Sequence, residues 1–288
     1  MNPTTVTAFC PGHISGYFKR VNGATPASTG SIGAGIVIDS GVTATVTRSE
    51  NTTIRIRRKD TAGRIRFTAE GSPIIESVMK KLGIMASVVT ECSLPIGAGF
   101  GLSAAALLST LTALNRLYSL SLSDHDIAVL AHEAEVQHRT GLGDVAACQA
   151  GGWVVRDGPG IDGHIHRRYD ISGPVYAVSF GPIHTPSVLG SPKQMEQVAS
   201  AFPHRAPHNG RELFSVSRCF TLRSGLATEN VLEVIRSCNS HNVPASMTML
   251  GNGVFAYGES AMEILAPFGE VYTCRVARSG PRITGVIR

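Results

Sequence analysis

Three alternately spaced glycines, Gly97, Gly99 and Gly101, stand between two strongly patterned segments. Residues 87–93 read as a strand. From residue 103 to 118, Leu107, Leu108, Leu111, Leu114 and Leu117 recur at helical spacing, and alanines fill much of the rest. A strand, a glycine loop and a nearly buried helix therefore belong at the centre of the fold. The loop Pro95-Ile96-Gly97-Ala98-Gly99-Phe100-Gly101-Leu102-Ser103-Ala104 lets the backbone approach a bulky anion closely. The helix start adds free amides and the positive end of its dipole, and Ser103 adds a hydroxyl that can meet a phosphate or Mg²⁺. Two familiar nucleotide loops do not fit. Walker A needs a lysine after its last glycine, and none follows Gly101. The Rossmann fingerprint wants GxGxxG and an acid about 20 residues on, where this chain has serine and leucine. A tight turn without a ligand is the plain alternative.

The remaining pattern is mixed. Residues 5–10 predict a strand ending at Pro11-Gly12, and residues 33–39 and 42–48 predict two strands joined by a turn at Asp39-Ser40-Gly41. Arg55, Arg57, Arg58, Lys59, Arg64 and Arg66 predict a basic face on a hairpin that turns at residues 60–63. With no aromatic residues interleaved, that face reads as solvated sheet and not as a nucleic-acid surface. Helices are expected at 74–82, at 123–139 with Ser123 as N-cap and Asp126 at the capping-box position, and at about 209–222 and 228–241. Strands and helices intersperse without a regular βαβ repeat, which favours α+β, with a soft boundary in the Gly/Pro-rich stretch near residue 160. At 288 residues, 43% apolar and 16% charged, the chain can bury a sizeable core, and its net charge of +5 suits anionic ligands without choosing among them. The six cysteines form no CxxC pair and read as free thiols of a reducing cytoplasm. No apolar run is long enough for a membrane span, so a soluble cytoplasmic protein is expected.

Phosphoryl transfer needs positioned carboxylates more than covalent chemistry. Asp144 follows Gly141-Leu142-Gly143, where it can approach a substrate or simply cap the next helix. Glu133 and Glu135 lie about 200° apart on a helix, so one face cannot present both. Glu135 shares a stripe with Ile127 and Ala131 and borders the inward face. Glu133 turns towards solvent. Arg139 suits a helix C-terminus, and it also suits an anion clamp.

Residues 95–106 resemble PxxxGLxSSA, the second motif of the GHMP kinases (galactokinase, homoserine, mevalonate and phosphomevalonate kinases). Ala104 replaces the motif's usual second serine. Ala8-Phe9-Cys10-Pro11-Gly12-His13 looks like the first motif, and Leu250-Gly251-Asn252-Gly253 like the third with a reduced glycine run. The resemblance implies a two-domain α+β fold: a ribosomal S5 domain 2-like ATP-binding domain over residues 1–160 and a ferredoxin-like α+β domain over 161–288. It implies a nucleotide site at Pro95, Gly97, Ala98, Gly99, Phe100, Gly101, Leu102, Ser103 and Ala104. Mg²⁺ would sit on Ser103 and Glu135, and Asp144 would serve as base or electrostatic stabiliser. Stretches 9–16, 28–35, 181–185 and 247–252 look like the archaeal branch that phosphorylates (R)-pantoate to 4-phosphopantoate with ATP on the route to coenzyme A. For that small hydroxy acid, His13, Ser28, Ser31, Gly33 and Arg139 are the expected contacts. The partners implied are ATP and pantoate, with no nucleic acid and no membrane, and a homodimer is compatible with the resemblance.

Overall fold

The computed structural model describes residues 3–60 and 62–288; Thr61, in the turn expected at 60–63, lies outside them. In chain order the first half carries β1 (Thr5–Val21), β2 (Gly30–Arg48), β3 (Thr53–Lys59), β4 (Ile65–Glu70), α1 (Pro73–Leu82), β5 (Ala86–Cys92), α2 (Leu102–Tyr118), α3 (Asp124–His138), α4 (Asp144–Cys148) and β6 (Trp153–Arg156). The second half carries β7 (Ile165–Arg168), β8 (Val175–Pro182), α5 (Thr185–Leu189), α6 (Pro192–Ala201), α7 (Gly210–Ser224), α8 (Glu229–Ser240), β9 (Ala245–Met247), β10 (Gly251–Tyr257), α9 (Ala261–Leu265), β11 (Val271–Cys274) and β12 (Arg282–Ile287).

Two sheets form. The larger has the order β12-β1-β2-β5-β3-β4, with β6 and β7 continuing from the far half of β2. The smaller has the order β11-β8-β10-β9. Among the described residues all strand pairs are antiparallel except β3 with β5. The boundary expected near residue 160 falls inside the β6–β7 hairpin, and β12 returns from the far end of the chain to pair with β1. A continuous cluster of buried apolar side chains runs through both sheets and their helices.

The strand expected to stop at Pro11-Gly12 instead continues to Val21. The two strands expected on either side of Asp39–Gly41 are one strand, β2. Where a turn was expected, the register between β1 and β2 shifts, with Pro11 opposite Gly41 and Gly12 opposite Ile38. Gly41 packs directly on the Cys10 carbonyl, where a side chain would collide. The glycines thus mark a bulge that bends both strands together, which leaves the same local signature as a hairpin turn.

Helix α2 packs on β1 and β2, and α3 packs on α2. Leu107, Leu108, Leu111, Leu114 and Leu117 are all at most 1% exposed. Burying each stabilises the fold by about 2 kcal/mol of transfer free energy. The Ser123 hydroxyl and the Asp126 carboxylate close the expected capping box at the start of α3. On the basic hairpin, Arg55 pairs with Glu70, Arg57 and Lys59 with Glu91, and Arg64 and Arg66 with Asp60.

Candidate active site

The glycine loop runs from β5 into α2, wedged between the two sheets. Gly97, Gly99 and Gly101 have φ of 77°, 81° and 62°, the left-handed region that glycine adopts without steric cost. Space demands glycine as well. A Cβ on Gly99 would lie 2.9 Å from the Met249 carbonyl oxygen, and one on Gly101 would lie 3.0 Å from that of His13. The His13 amide donates to the Phe100 carbonyl at 3.0 Å, the Ile183 amide to Gly97 at 3.2 Å, and the Met249 amide to Ser15 at 3.1 Å. Three segments distant in sequence, around His13, Gly99 and Met249, are therefore locked to one another through backbone.

Gly101 caps α2 without any side-chain hydrogen bond to the helix end, so the first amides of α2 keep their donors. They open on a cleft of about 650 Å³ lined by Gly97, Gly99, Phe100, Gly101, Leu102 and Ser103. Glu135, Thr140, Asp144, Arg156 and Ser31 line the same cleft.

Asp144 is the first residue of α4, with Gly143 at the cap position. Its carboxylate does not cap the helix. His13 Nδ1 donates to Asp144 Oδ1 at 2.6 Å, with the imidazole fully buried and the carboxylate 22% exposed to the cleft. Burial alone would push the carboxyl up. The His13 hydrogen bond and the nearby Arg156 charge outweigh it and hold Asp144 below the ordinary carboxylate range. Burial pushes His13 down against the pull of Asp144, which leaves a neutral imidazole donating to an ionised carboxylate. His13 Nε2 has no hydrogen-bond partner among the described residues and lies over Gly35, whose missing side chain leaves room for the ring.

Glu135 is 1% exposed on the inward face of α3, with Ile127 and Ala131 buried on the same stripe. Glu133 faces outward and pairs with Lys81 at 2.8 Å. Thr140 donates its hydroxyl to Glu135 Oε1 at 3.2 Å, and the neighbouring Ser103 hydroxyl favours the ionised form of this carboxyl. Burial first, and then the charge of Asp144, push Glu135 up to about 8. Its Oε2 is buried without a hydrogen-bond partner among the described residues. An orphaned carboxylate oxygen beside a serine hydroxyl is a hard-oxygen donor set of the kind Mg²⁺ takes.

Arg156 ends β6 and is 2% exposed. Its Nη1 donates to the Ser31 carbonyl at 2.7 Å and to Ser31 Oγ at 3.0 Å, while Nε has no partner among the described residues. Gly143 packs against the guanidinium where a side chain would overlap it. Behind Ser31, His132 Nε2 donates to the Thr29 carbonyl at 2.8 Å and anchors this stretch to α3.

Residues 70–152 match the model of the GHMP kinases N-terminal domain. Over 98% of its own length and 98% of the relative's, the chain is 47% identical to a pantoate kinase of Methanospirillum hungatei. The chain belongs to the GHMP kinase family. It is a kinase, and its similarity to pantoate kinases extends to one from Methanocaldococcus jannaschii, 28% identical over 89% of this chain and 96% of that one. A solved structure described as a phosphotransferase related to the coenzyme A biosynthesis pathway superposes with a TM-score of 0.78 at 25% identity, covering 97% of this chain and 98% of that one.

For this GHMP kinase the residues expected at the site fall into three groups. Gly97, Gly99, Phe100, Gly101, Leu102, Ser103, Glu135, Asp144 and Ser31 line one cleft. Pro95, Ala98 and Ala104 are buried beneath the loop, and at the fully buried position 104 a methyl fits where the family motif has a hydroxyl. The other expected acceptor contacts lie elsewhere. His13 sits behind Asp144. Ser28 is exposed, and its hydroxyl is tied to Thr25 in a local turn. Gly33 pairs with Phe18, lies against the Tyr17 carbonyl and lines a second, smaller cavity. Arg139 is the exposed left-handed cap of α3, at φ 56°. Arg156 was not anticipated. Its one signal was a charge closing the apolar run Trp153-Val154-Val155, and a strand pattern alone does not say whether such a charge points inward.

Proposed function

We propose that this chain transfers the γ-phosphoryl group of ATP to the 4-hydroxyl of (R)-pantoate, giving 4-phosphopantoate and ADP on the archaeal route to coenzyme A. The observation that carries the chemistry is one cleft holding an open helix N-terminus, an ionised carboxylate and a buried guanidinium with a free edge. The full-length likeness to pantoate kinases supports the choice of acceptor.

The glycine loop and the first amides of α2 hold the triphosphate, because dipole and free donors both favour anionic oxygen there. Ser103 and Glu135 would hold Mg²⁺, which when bound neutralises charge on the transferring phosphoryl group. Thr140 and Gly141 keep the Glu135 carboxyl in place, the first by a hydrogen bond and the second by leaving room for it. Pantoate carries a carboxylate at one end, a hydroxyl at the other and two methyl groups between. Arg156 with Ser31 answers the carboxylate, and Leu142 offers the cleft an apolar wall for the methyls. Asp144 receives the hydroxyl. A carboxylate held below its usual range is a weak Brønsted base, so Asp144 chiefly orients the nucleophilic oxygen and takes the proton late, as suits a loose transition state. His13 fixes the carboxylate orientation.

The setting we propose is a soluble, cytoplasmic enzyme. No helix among the described residues is long and apolar enough to cross a membrane, and five of the six free cysteines are buried thiols that need no oxidising compartment. The test is purified protein with Mg²⁺, ATP and separate samples of pantoate, mevalonate, homoserine and shikimate. Coupled ADP release measures turnover and phosphorus NMR locates the ester. We expect turnover on pantoate with a primary phosphate ester as product. Turnover on mevalonate with none on pantoate would overturn the assignment.

A further inference from the structure

Strands β6 and β7 form a hairpin in which Val155 faces His166 and Arg156 faces Ile165. The Asp157 amide donates to the His164 carbonyl at 3.0 Å and adds one more rung. Because side chains alternate along a strand, Arg156, Ile165 and Arg167 take one face of this ribbon while Asp157, His164 and His166 take the other. The second trio is exposed. Its polar atoms converge. Asp157 Oδ2 lies 2.9 Å from His166 Nε2 and 3.9 Å from His164 Nδ1, and the two imidazoles stand edge to face with centroids 4.3 Å apart. The three donor atoms all lie within 4.8 Å of one another.

Two imidazole nitrogens and a carboxylate oxygen form a donor set that suits Zn²⁺ and its borderline neighbours. Tetrahedral Zn²⁺ with bonds of about 2.05 Å places adjacent ligand atoms about 3.3 Å apart. The observed 2.9 Å and 3.9 Å bracket that separation, so small side-chain rotations suffice. Two imidazolium cations this close would repel one another, whereas one divalent ion shared by both nitrogens and the carboxylate replaces repulsion with three bonds. The platform is firm. Beneath it, Arg167 donates to the carbonyls of Ala146, Ala147, Ala150 and Gly151, and β6 is paired to β2 on its other edge. Sites carried on paired strands hold their geometry better than sites on loops.

We propose that the outer face of the β6–β7 hairpin binds one zinc-class divalent cation through Asp157, His164 and His166, with water at the fourth position. This site is separate from the catalytic cleft. It is selective against Mg²⁺, which takes oxygen ligands and keeps its octahedral water. The bound ion ties the turn end of β6 to β7, one residue beyond the point where Arg156 enters the cleft on the opposite face.

The test uses the full chain without a histidine tag, stripped by chelator and then titrated calorimetrically with ZnCl₂ alone and, separately, with MgCl₂. Co²⁺ absorption serves as a second readout of ligand geometry. We expect one zinc per chain, unaffected by millimolar Mg²⁺, and tetrahedral Co²⁺ bands. His164→Ala and His166→Ala should each weaken zinc binding roughly 10- to 100-fold or more, as losses around metal sites do. Both variants should keep Mg²⁺-dependent kinase turnover, which shows that they remain folded. Absence of stoichiometric zinc binding would overturn the proposal. So would binding that survives in the double histidine variant, or binding abolished by Cys219→Ser with both histidines present.

Discussion

Replacing Glu135 with glutamine removes a group whose ionisation the fold opposes. The carboxyl is 1% exposed, and burial together with Asp144 raises it from 4.5 to about 8. Between those two values the folded chain keeps a proton that the unfolded chain has lost. Stability therefore falls as pH rises through the window. Below pH 4.5 both states are protonated and nothing is lost; above pH 8 the whole difference is lost. A shift of this size corresponds to roughly 5 kcal/mol. Glutamine cannot ionise, so the variant escapes this decline. The assay is thermal unfolding of wild type and Glu135→Gln, both free of nucleotide and metal, at pH 5 and pH 8.5. At about 2 °C per kcal/mol for a chain of this size, the variant should melt within a degree or two of wild type at pH 5. At pH 8.5 it should melt higher by at least about 4 °C, while turning over ATP far more slowly. Parallel pH profiles for the two proteins would refute the reasoning, because they would mean that Glu135 is either solvated or already paired in the empty cleft.

Three other outcomes follow from the same geometry. Asp144→Asn keeps the shape of the site but removes the negative charge, and should lower kcat by about 10²- to 10⁴-fold in an ADP-release assay with Tm nearly unchanged. Arg156→Lys loses the planar fork and a charge-assisted hydrogen bond worth about 1.5–3 kcal/mol, so the KM for the hydroxy acid should rise by about 10- to 100-fold while the KM for ATP stays within a few-fold. Gly99→Ala places a Cβ 2.9 Å from the Met249 carbonyl at φ 81°, and should cost more than about 1 kcal/mol of stability in a denaturant titration and weaken nucleotide binding.

The local part of this site was legible because local physics fixes it. Glycines at every second position announced a loop whose backbone tolerates close approach, and in the structure Gly97, Gly99 and Gly101 all take left-handed φ, with no room for a Cβ at Gly99 or Gly101. Helical arithmetic separated Glu135 from Glu133, and the structure buries the first and leaves the second on Lys81. Ser123 and Asp126 are three residues apart and make their box without tertiary help. What escaped depends on pairing across long sequence distances. The bulge at Gly12 and Gly41 reads as a turn until β1 and β2 are seen side by side. Arg139 has the composition of an anion clamp, but as a left-handed helix cap it stays exposed outside the cleft. Arg156 is held inward by Ser31, which lies 125 residues earlier, and no spacing rule encodes that contact. His13 was expected to touch substrate; its partner turned out to be the carboxylate itself.

The pairing of β12 with β1 sets an order of events during synthesis. Thr5 finds its partner in Ile287, and Phe9 finds its partner in Arg282. Until residues 282–287 have been made, β1 presents an open edge, and β1 is the strand that carries His13 to Asp144. Such distant contacts close slowly, because loop entropy must be overcome before they contribute. A nascent chain can thus assemble the glycine loop and α2 early, yet the outer edge of β1 stays open until β12 has been made. During that interval the uncovered strand is a place where a second nascent chain, or a holdase, can pair first.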